Sequence, residues 1–154
     1  MAASAALGFV PPLSAQDDTL QSRFLADLVI EVDAGHDAGS ASGGHGVVSV
    51  TRGSIEGPRI KGTIISPSGD WMVQRPDKSR LLDVRLLVQT EDGESVYVSC
   101  RGVAYTPANG KLFARITPLF ETSAAKYAWL NNVVAVGVYR PMPGRVAYRI
   151  YEIL

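Results

Sequence analysis

The stretch from Leu81 to Leu119 constrains the fold more than any other part of the chain. Three runs, Leu81 to Thr90, Ser95 to Tyr105 and Lys111 to Leu119, alternate apolar and polar residues, and turn signals at Glu91-Asp92-Gly93 and Ala108-Asn109-Gly110 separate them. Successive side chains of a strand point to opposite faces, so each run reads as a strand with one buried side. A two-residue Asp92-Gly93 loop would pair position 85 with 100 and mix the faces. A three-residue loop with Gly93 left-handed in a bulge pairs Arg85 with Ser99 and Asp83 with Arg101, and keeps apolar opposite apolar. A slip of one residue flips every side chain, so the second register is the expected one. The same reasoning sets Phe113 opposite Tyr105, Arg115 opposite Val103 and Thr117 opposite Arg101.

This meander has two unlike faces. One is aliphatic: Leu82, Val84, Leu86, Val88, Val96, Val98 and Ile116. The other carries Asp83, Arg85, Tyr97, Arg101, Tyr105, Phe113 and Arg115. Arginines, an acid and aromatics on one surface fit a pocket for a planar, oxygenated or anionic small molecule. The same set equally fits a solvated outer face, with Asp83 and Arg101 as a cross-strand ion pair.

The rest of the chain is also strand-like. Phe24 to Asp33, Val47 to Arg52, Pro58 to Ile65, Asp70 to Gln74, Val133 to Arg140 and Arg145 to Ile153 read as strands, the last two as a hairpin around Pro141-Met142-Pro143-Gly144. Ala124 to Leu130 is the one helical candidate. Many short strands at regular spacing predict an all-β fold, a single antiparallel β-barrel of roughly eight to ten strands with one short helix near 124–130. Residues 19–154 form this domain. Residues 1–18 are set apart: an uncharged Ala- and Leu-rich stretch ends at Leu13-Ser14-Ala15, which fits a secretory signal without its usual basic start, or else a disordered leader. Export is the expectation on the first reading and a cytoplasmic location on the second.

Composition excludes some functions. Lys plus Arg and Asp plus Glu each total 15, with no basic run, so a nucleic-acid partner held by phosphate contacts is not expected. No stretch reaches the ~18 apolar residues that span a bilayer. Cys100 is the single cysteine and reads as a small buried hydrophobe. His36 and His45 lie in a glycine-rich loop without zinc spacing, and no metal or cofactor site is expected. Homo-oligomerisation is left open.

Two positions outside the meander matter. Asp70-Trp71 follows Ser66-Pro67-Ser68-Gly69. The carboxylate either caps that turn or stands at a barrel mouth beside an aromatic wall, where an acid or base would act. Tyr127 and Trp129 lie two apart on the helical candidate and so face different ways, Trp129 toward the core and Tyr127 toward a ligand.

Several short segments share an order and spacing. They are Gly53 to Gly62 with Gly57-Pro58, Gly69-Asp70-Trp71, Asp83-Val84-Arg85, Asp92-Gly93 with Tyr97, Gly102, Phe120-Glu121-Thr122, Tyr127-Ala128-Trp129-Leu130-Asn131 and Tyr151-Glu152. Together they resemble the domain-of-unknown-function 3237 family of bacteria and fungi, from about Leu25 to the end. The resemblance implies a lipocalin-like β-barrel. It departs at Val47, where the family usually has arginine, and at Arg52, where it often has glycine. A fungal member is similar to a cofactor-free cyclase that adds a hydroxyl intramolecularly across an alkene. The reading that follows is a small-molecule-binding barrel: a cofactor-independent cyclase or isomerase acting by acid–base chemistry on an oxygenated or aromatic metabolite. Asp83 or Asp70 would transfer the proton, Arg85 and Arg101 would orient or stabilise charge, and Trp71, Tyr97, Tyr127 and Trp129 would contact the ligand. The alternatives are a carrier without turnover and a structural barrel with a filled core.

Overall fold

A computed structural model describes residues 19–39 and 44–154. The expected leader, residues 1–18, lies outside the described residues, as do 40–43 of the glycine-rich loop. The strands are β1 (Ser22–Val32), β2 (His36–Asp37), β3 (Gly44–Glu56), β4 (Lys61–Gln74), β5 (Arg80–Thr90), β6 (Ser95–Tyr105), β7 (Phe113–Glu121), β8 (Ala135–Met142) and β9 (Arg145–Ile153). They pair antiparallel in the order β1-β9-β8-β7-β6-β5-β4-β3, and β1 returns to β3. Eight strands therefore close a barrel, and β2 lies beside β3 at the rim. Closure removes the exposed sheet edges that invite aggregation. Among the described residues no helix is long and apolar enough to cross a membrane.

The expected register is the observed one. Arg85 faces Ser99 and Asp83 faces Arg101, and on the next pair Phe113 faces Tyr105 and Thr117 faces Arg101. Gly93 has φ +84°, the left-handed conformation that the three-residue loop requires. The aliphatic face turns inward: Val84, Leu86, Val88, Val96, Val98, Cys100 and Ile116 are all buried. Burying this face inside and leaving the charged face in water is the arrangement that the hydrophobic effect favours.

Two segments depart from the expected strands. Pro58 to Ile65 and Asp70 to Gln74 are not separate strands: Pro58 to Ile60 lie in the turn before β4, β4 runs from Lys61 through the rest of both, and Ser66 to Ser68 form a bulge. There the Ser68 hydroxyl accepts the Leu87 N–H at 2.9 Å and donates to the Ile65 carbonyl at 2.7 Å, standing in for the missing ladder bonds. The second departure is in β3, where the pairing with β1 slips by one residue between Glu31 and Val32. The slip changes which residues face in, so that both Val50 and Ile55 reach the core.

One end of the barrel is plugged. The expected helix is a 3₁₀ helix, Ala125–Asn132, and it buries Tyr127 and Leu130. The plug packs with Leu25, Ile60, Phe120 and Val133 in the core. Gly57 lets the β3–β4 turn close over this end, since a Cβ there would stand 2.0 Å from the Leu25 carbonyl oxygen. The Tyr127 hydroxyl donates to Asp92 Oδ1 at 2.8 Å, tying the plug to the β5–β6 turn. Asp92 also accepts from Lys126 and from the Thr90 hydroxyl, and these partners, Lys126 foremost, hold its carboxyl well below the usual range.

Candidate functional site

The other end is open. The strand ends farthest from the plug enclose a cavity of about 250 Å³. Its walls are mainly apolar: Ile30 and Val32 from β1, Met72 from β4, Leu82 and Val84 from β5, and Ala104, Ala114 and Val146 from the far side. This size is just below the ~300 Å³ at which ligand pockets usually begin. Four side chains bring polar groups to it: Asp70, Arg80, Tyr139 and Tyr148. Asp33 stands at the rim.

Strand alternation determines which groups enter. Asp70 pairs with Val48 on one side and Val84 on the other, so it shares the inward phase of the core. Asp70 Oδ1 accepts the Asp83 backbone N–H at 3.0 Å. Among the described residues Oδ2 has no hydrogen-bond partner. Partial burial raises the Asp70 carboxyl above its ordinary value. The Asp83 N–H and the charge of Arg80 pull the other way with less effect, and the charge of Asp83 adds slightly to the rise.

Tyr148 pairs with Leu28 and Tyr139, and its side chain is only 6% exposed. The two tyrosine rings meet edge to face, with centroids 5.9 Å apart. Among the described residues the Tyr148 hydroxyl makes no hydrogen bond, yet no fully buried side-chain oxygen or nitrogen lacks a partner. The hydroxyl is therefore not fully buried, and Tyr148 is among the residues that line the cavity. Burial raises the Tyr148 phenol, and the nearby Asp70 charge raises it further. Cys100, opposite Val84 and beneath the cavity, is pushed up to about 12, again by burial first and Asp70 second.

The expected site is only partly assembled. Asp70 lines the cavity, and its aromatic wall is Tyr148 and Tyr139. Trp71 is not that wall: next to Asp70 on one strand it must point out, and it is 45% exposed. Asp83, Arg85, Tyr97 and Arg101 are likewise on the outer surface, so they do not line a pocket inside the barrel. Asp83 makes no ion pair with its cross-strand neighbour Arg101. It pairs with Arg85, two residues along the same face, at 3.3 Å, and Arg85 leans toward the Trp71 ring with 5.3 Å to its centroid. Tyr127 and Trp129 are at the plugged end. Tyr127 is bonded to Asp92, and Trp129 stacks under Arg59 at 3.7 Å. No group of three or more His, Cys, Asp or Glu among the described residues is arranged to hold a metal ion.

Sequence reasoning missed Arg80, Tyr139 and Tyr148. Alternation carried two residues further back from Leu82 places Arg80 on the inward face. Tyr148 shares its face with Val146 and Ile150, which marked it as inward.

Similar proteins agree on the architecture. A β-barrel-like protein of Acinetobacter baumannii superposes with a TM-score of 0.83 at 27% identity, over 92% of this chain and all of that one. A UPF0311 protein of Rhodopseudomonas palustris is 23% identical over 150 residues, 88% of this chain and 98% of its own. The hydroalkoxylation enzyme phnH of Penicillium herquei is 33% identical over 89 residues, 58% of this chain and 53% of its own. A solved enzyme from Penicillium herquei shares the fold with a TM-score of 0.76 at 24% identity. Residues 20–153 match the family described as protein of unknown function, DUF3237, and the chain belongs to that family.

Proposed function

We propose that the open-end cavity is the active site of an enzyme that adds a hydroxyl across a carbon–carbon double bond within one small oxygenated or aromatic metabolite, with Asp70 as the proton-transfer group. The observation that carries this reading is the carboxylate itself. One of its oxygens is held by a backbone N–H, and the other has no partner among the described residues, at an apolar cavity reached by a phenol. The relative named a hydroalkoxylation enzyme supports the reaction class.

The chemistry balances without a second reactant. Protonated Asp70 gives its proton to one alkene carbon, the substrate oxygen bonds to the other, and the hydroxyl proton returns to the carboxylate. Burial favours the protonated form needed at the start. Tyr148 and Tyr139 orient the substrate so that oxygen and alkene meet, and the apolar wall keeps water from the cationic carbon. Asp83, Arg85 and Arg101 lie outside and enter no step.

The test uses 2-prenylphenol, whose cyclised product has the same mass but a different retention time. In heavy water the product should carry one deuterium on carbon. Asp70→Asn should slow the reaction by ~10²-fold or more. Turnover undiminished in that variant would remove Asp70 from the reaction. Binding of the phenol without conversion by the wild-type protein would favour the carrier reading instead.

A further inference from the structure

Among the described residues Arg80 is the one Lys or Arg side chain that lines the open-end cavity. The ion pairs among the described residues engage Arg23, Arg52, Arg59, Arg85, Lys126, Arg145 and Arg149. Arg80 is in none of them, although two acids, Asp33 and Asp70, line the same cavity. A guanidinium turned inward at a barrel mouth and half-buried would ordinarily close on such a carboxylate. Here it stays apart, while its charge is still felt at Asp70. Arg80, Asp70 and Tyr148 line one mainly apolar cavity, and a guanidinium left without an ion pair there can receive a planar, negatively charged oxygen group.

We infer that the substrate carries an anionic oxygen, a carboxylate or a phenolate, that docks on Arg80 with the rest of its planar body against Tyr148 and the apolar wall. The inference rests on the reading of this cavity as the active site and names the substrate class for it. Arg80 is then a specificity-determining residue, and it holds the reacting carbons beside Asp70.

The charge balance of the lining gives this arrangement a second consequence. With Asp33 and Asp70 ionised against Arg80, the lining carries a net charge of −1, and an incoming anion is opposed. With Asp70 protonated the lining is neutral. An anionic substrate and the Asp70 proton therefore favour one another's binding, and the substrate itself recruits the acid form that the reaction needs.

The test compares two small probes of nearly equal size, benzoate and benzamide, by NMR titration of the full chain at pH 6. Benzoate should bind at least tenfold more tightly than benzamide. Arg80→Gln should bring that ratio near one, and Arg80→Lys should keep most of the preference. Asp70→Asn, a permanent mimic of the protonated acid, should bind benzoate as tightly as the wild type or more so. Equal binding of both probes by the wild type, or a preference that survives Arg80→Gln, would overturn the anion seat while leaving the cavity a binding site. Failure of both probes to bind would overturn it too, and the 2-prenylphenol assay would then decide separately whether the cavity is an active site.

Discussion

Leu130→Ala tests the division of the barrel into a plugged end and an open end. Leu130 is fully buried on the 3₁₀ helix, and it sits in the core cluster with Leu25, Ile60 and Phe120. Truncation removes three carbons from a dry site. At about 0.8 kcal/mol for each, the transfer loss is about 2.4 kcal/mol. The cavity left behind adds to this, because neighbouring strands in a closed barrel cannot collapse inward freely. A total of about 3 kcal/mol follows, within the range of about 2–5 kcal/mol for buried Leu→Ala. For a chain of this size that loss lowers Tm by about 6–12 °C. Urea unfolding followed by tryptophan fluorescence measures it, since Trp129 lies in the same helix. Benzoate affinity, read well below Tm, should be unchanged, because Leu130 is at the far end from Arg80. A loss under about 1 kcal/mol would show that the helix is not a packed plug, and a tenfold fall in benzoate affinity would show that the two ends are not independent.

Asp70→Asn should be more stable than the wild type at neutral pH and less advantaged in acid. The folded-state carboxyl is raised, so the wild type loses stability as pH rises from about 3.9, the unfolded value, through the raised folded value; urea midpoints should show the difference between variant and wild type growing with pH, and a constant difference would refute it. Ala114→Leu, on the cavity wall, should fill the binding space and abolish benzoate binding while shifting Tm by only a few degrees; retained binding would place the ligand elsewhere. Cys100 should resist a thiol reagent in the native barrel and react at once on unfolding, since it is fully buried and its thiol is pushed up to about 12; rapid native labelling would contradict the closed core.

The meander was legible because its alternation is strict and its turns are chemically marked. Leu82 to Val88 and Val96 to Cys100 admit one register that keeps apolar facing apolar, and that register is present. The function of the opposite face was not legible. Arg85, Tyr97 and Arg101 have the residue types of a binding pocket, but the same types cover the outside of a barrel, where long stems and aromatic rings shield the sheet. Only closure decides between the two, and closure depends on β1 meeting β3, a long-range pairing that no local pattern announces. Continuity of β4 was hidden for a related reason. Ser66-Pro67-Ser68 has turn composition, and it becomes a bulge because Ser68 can satisfy both neighbouring strands with one hydroxyl. Arg80 and Tyr148 were missed because each is flanked on its face by ordinary core residues.

The segments that carry the family resemblance fall mostly at the plugged end, where they contact one another. Asn131 exchanges hydrogen bonds with Thr122, accepting its N–H at 2.9 Å and donating to its carbonyl at 3.0 Å. Glu152 accepts from both Arg23 and Arg59, and Arg59 stacks on Trp129. Gly57, Asp92 and Tyr127 complete the same closure. These groups are spent on one another, which is what a structural seal requires and what a binding site cannot do. At the open end the pattern reverses: Asp70 keeps one oxygen without a partner among the described residues, and there Arg80 has no ion pair and the Tyr148 hydroxyl has no partner. Two of these segments reach this end with a side chain that faces the cavity: Gly69-Asp70-Trp71 through Asp70 and Asp83-Val84-Arg85 through Val84. Because the seal and the cavity lie at opposite ends, the lining at the open end, Asp70 and Arg80 included, can change without disturbing the closure at the other.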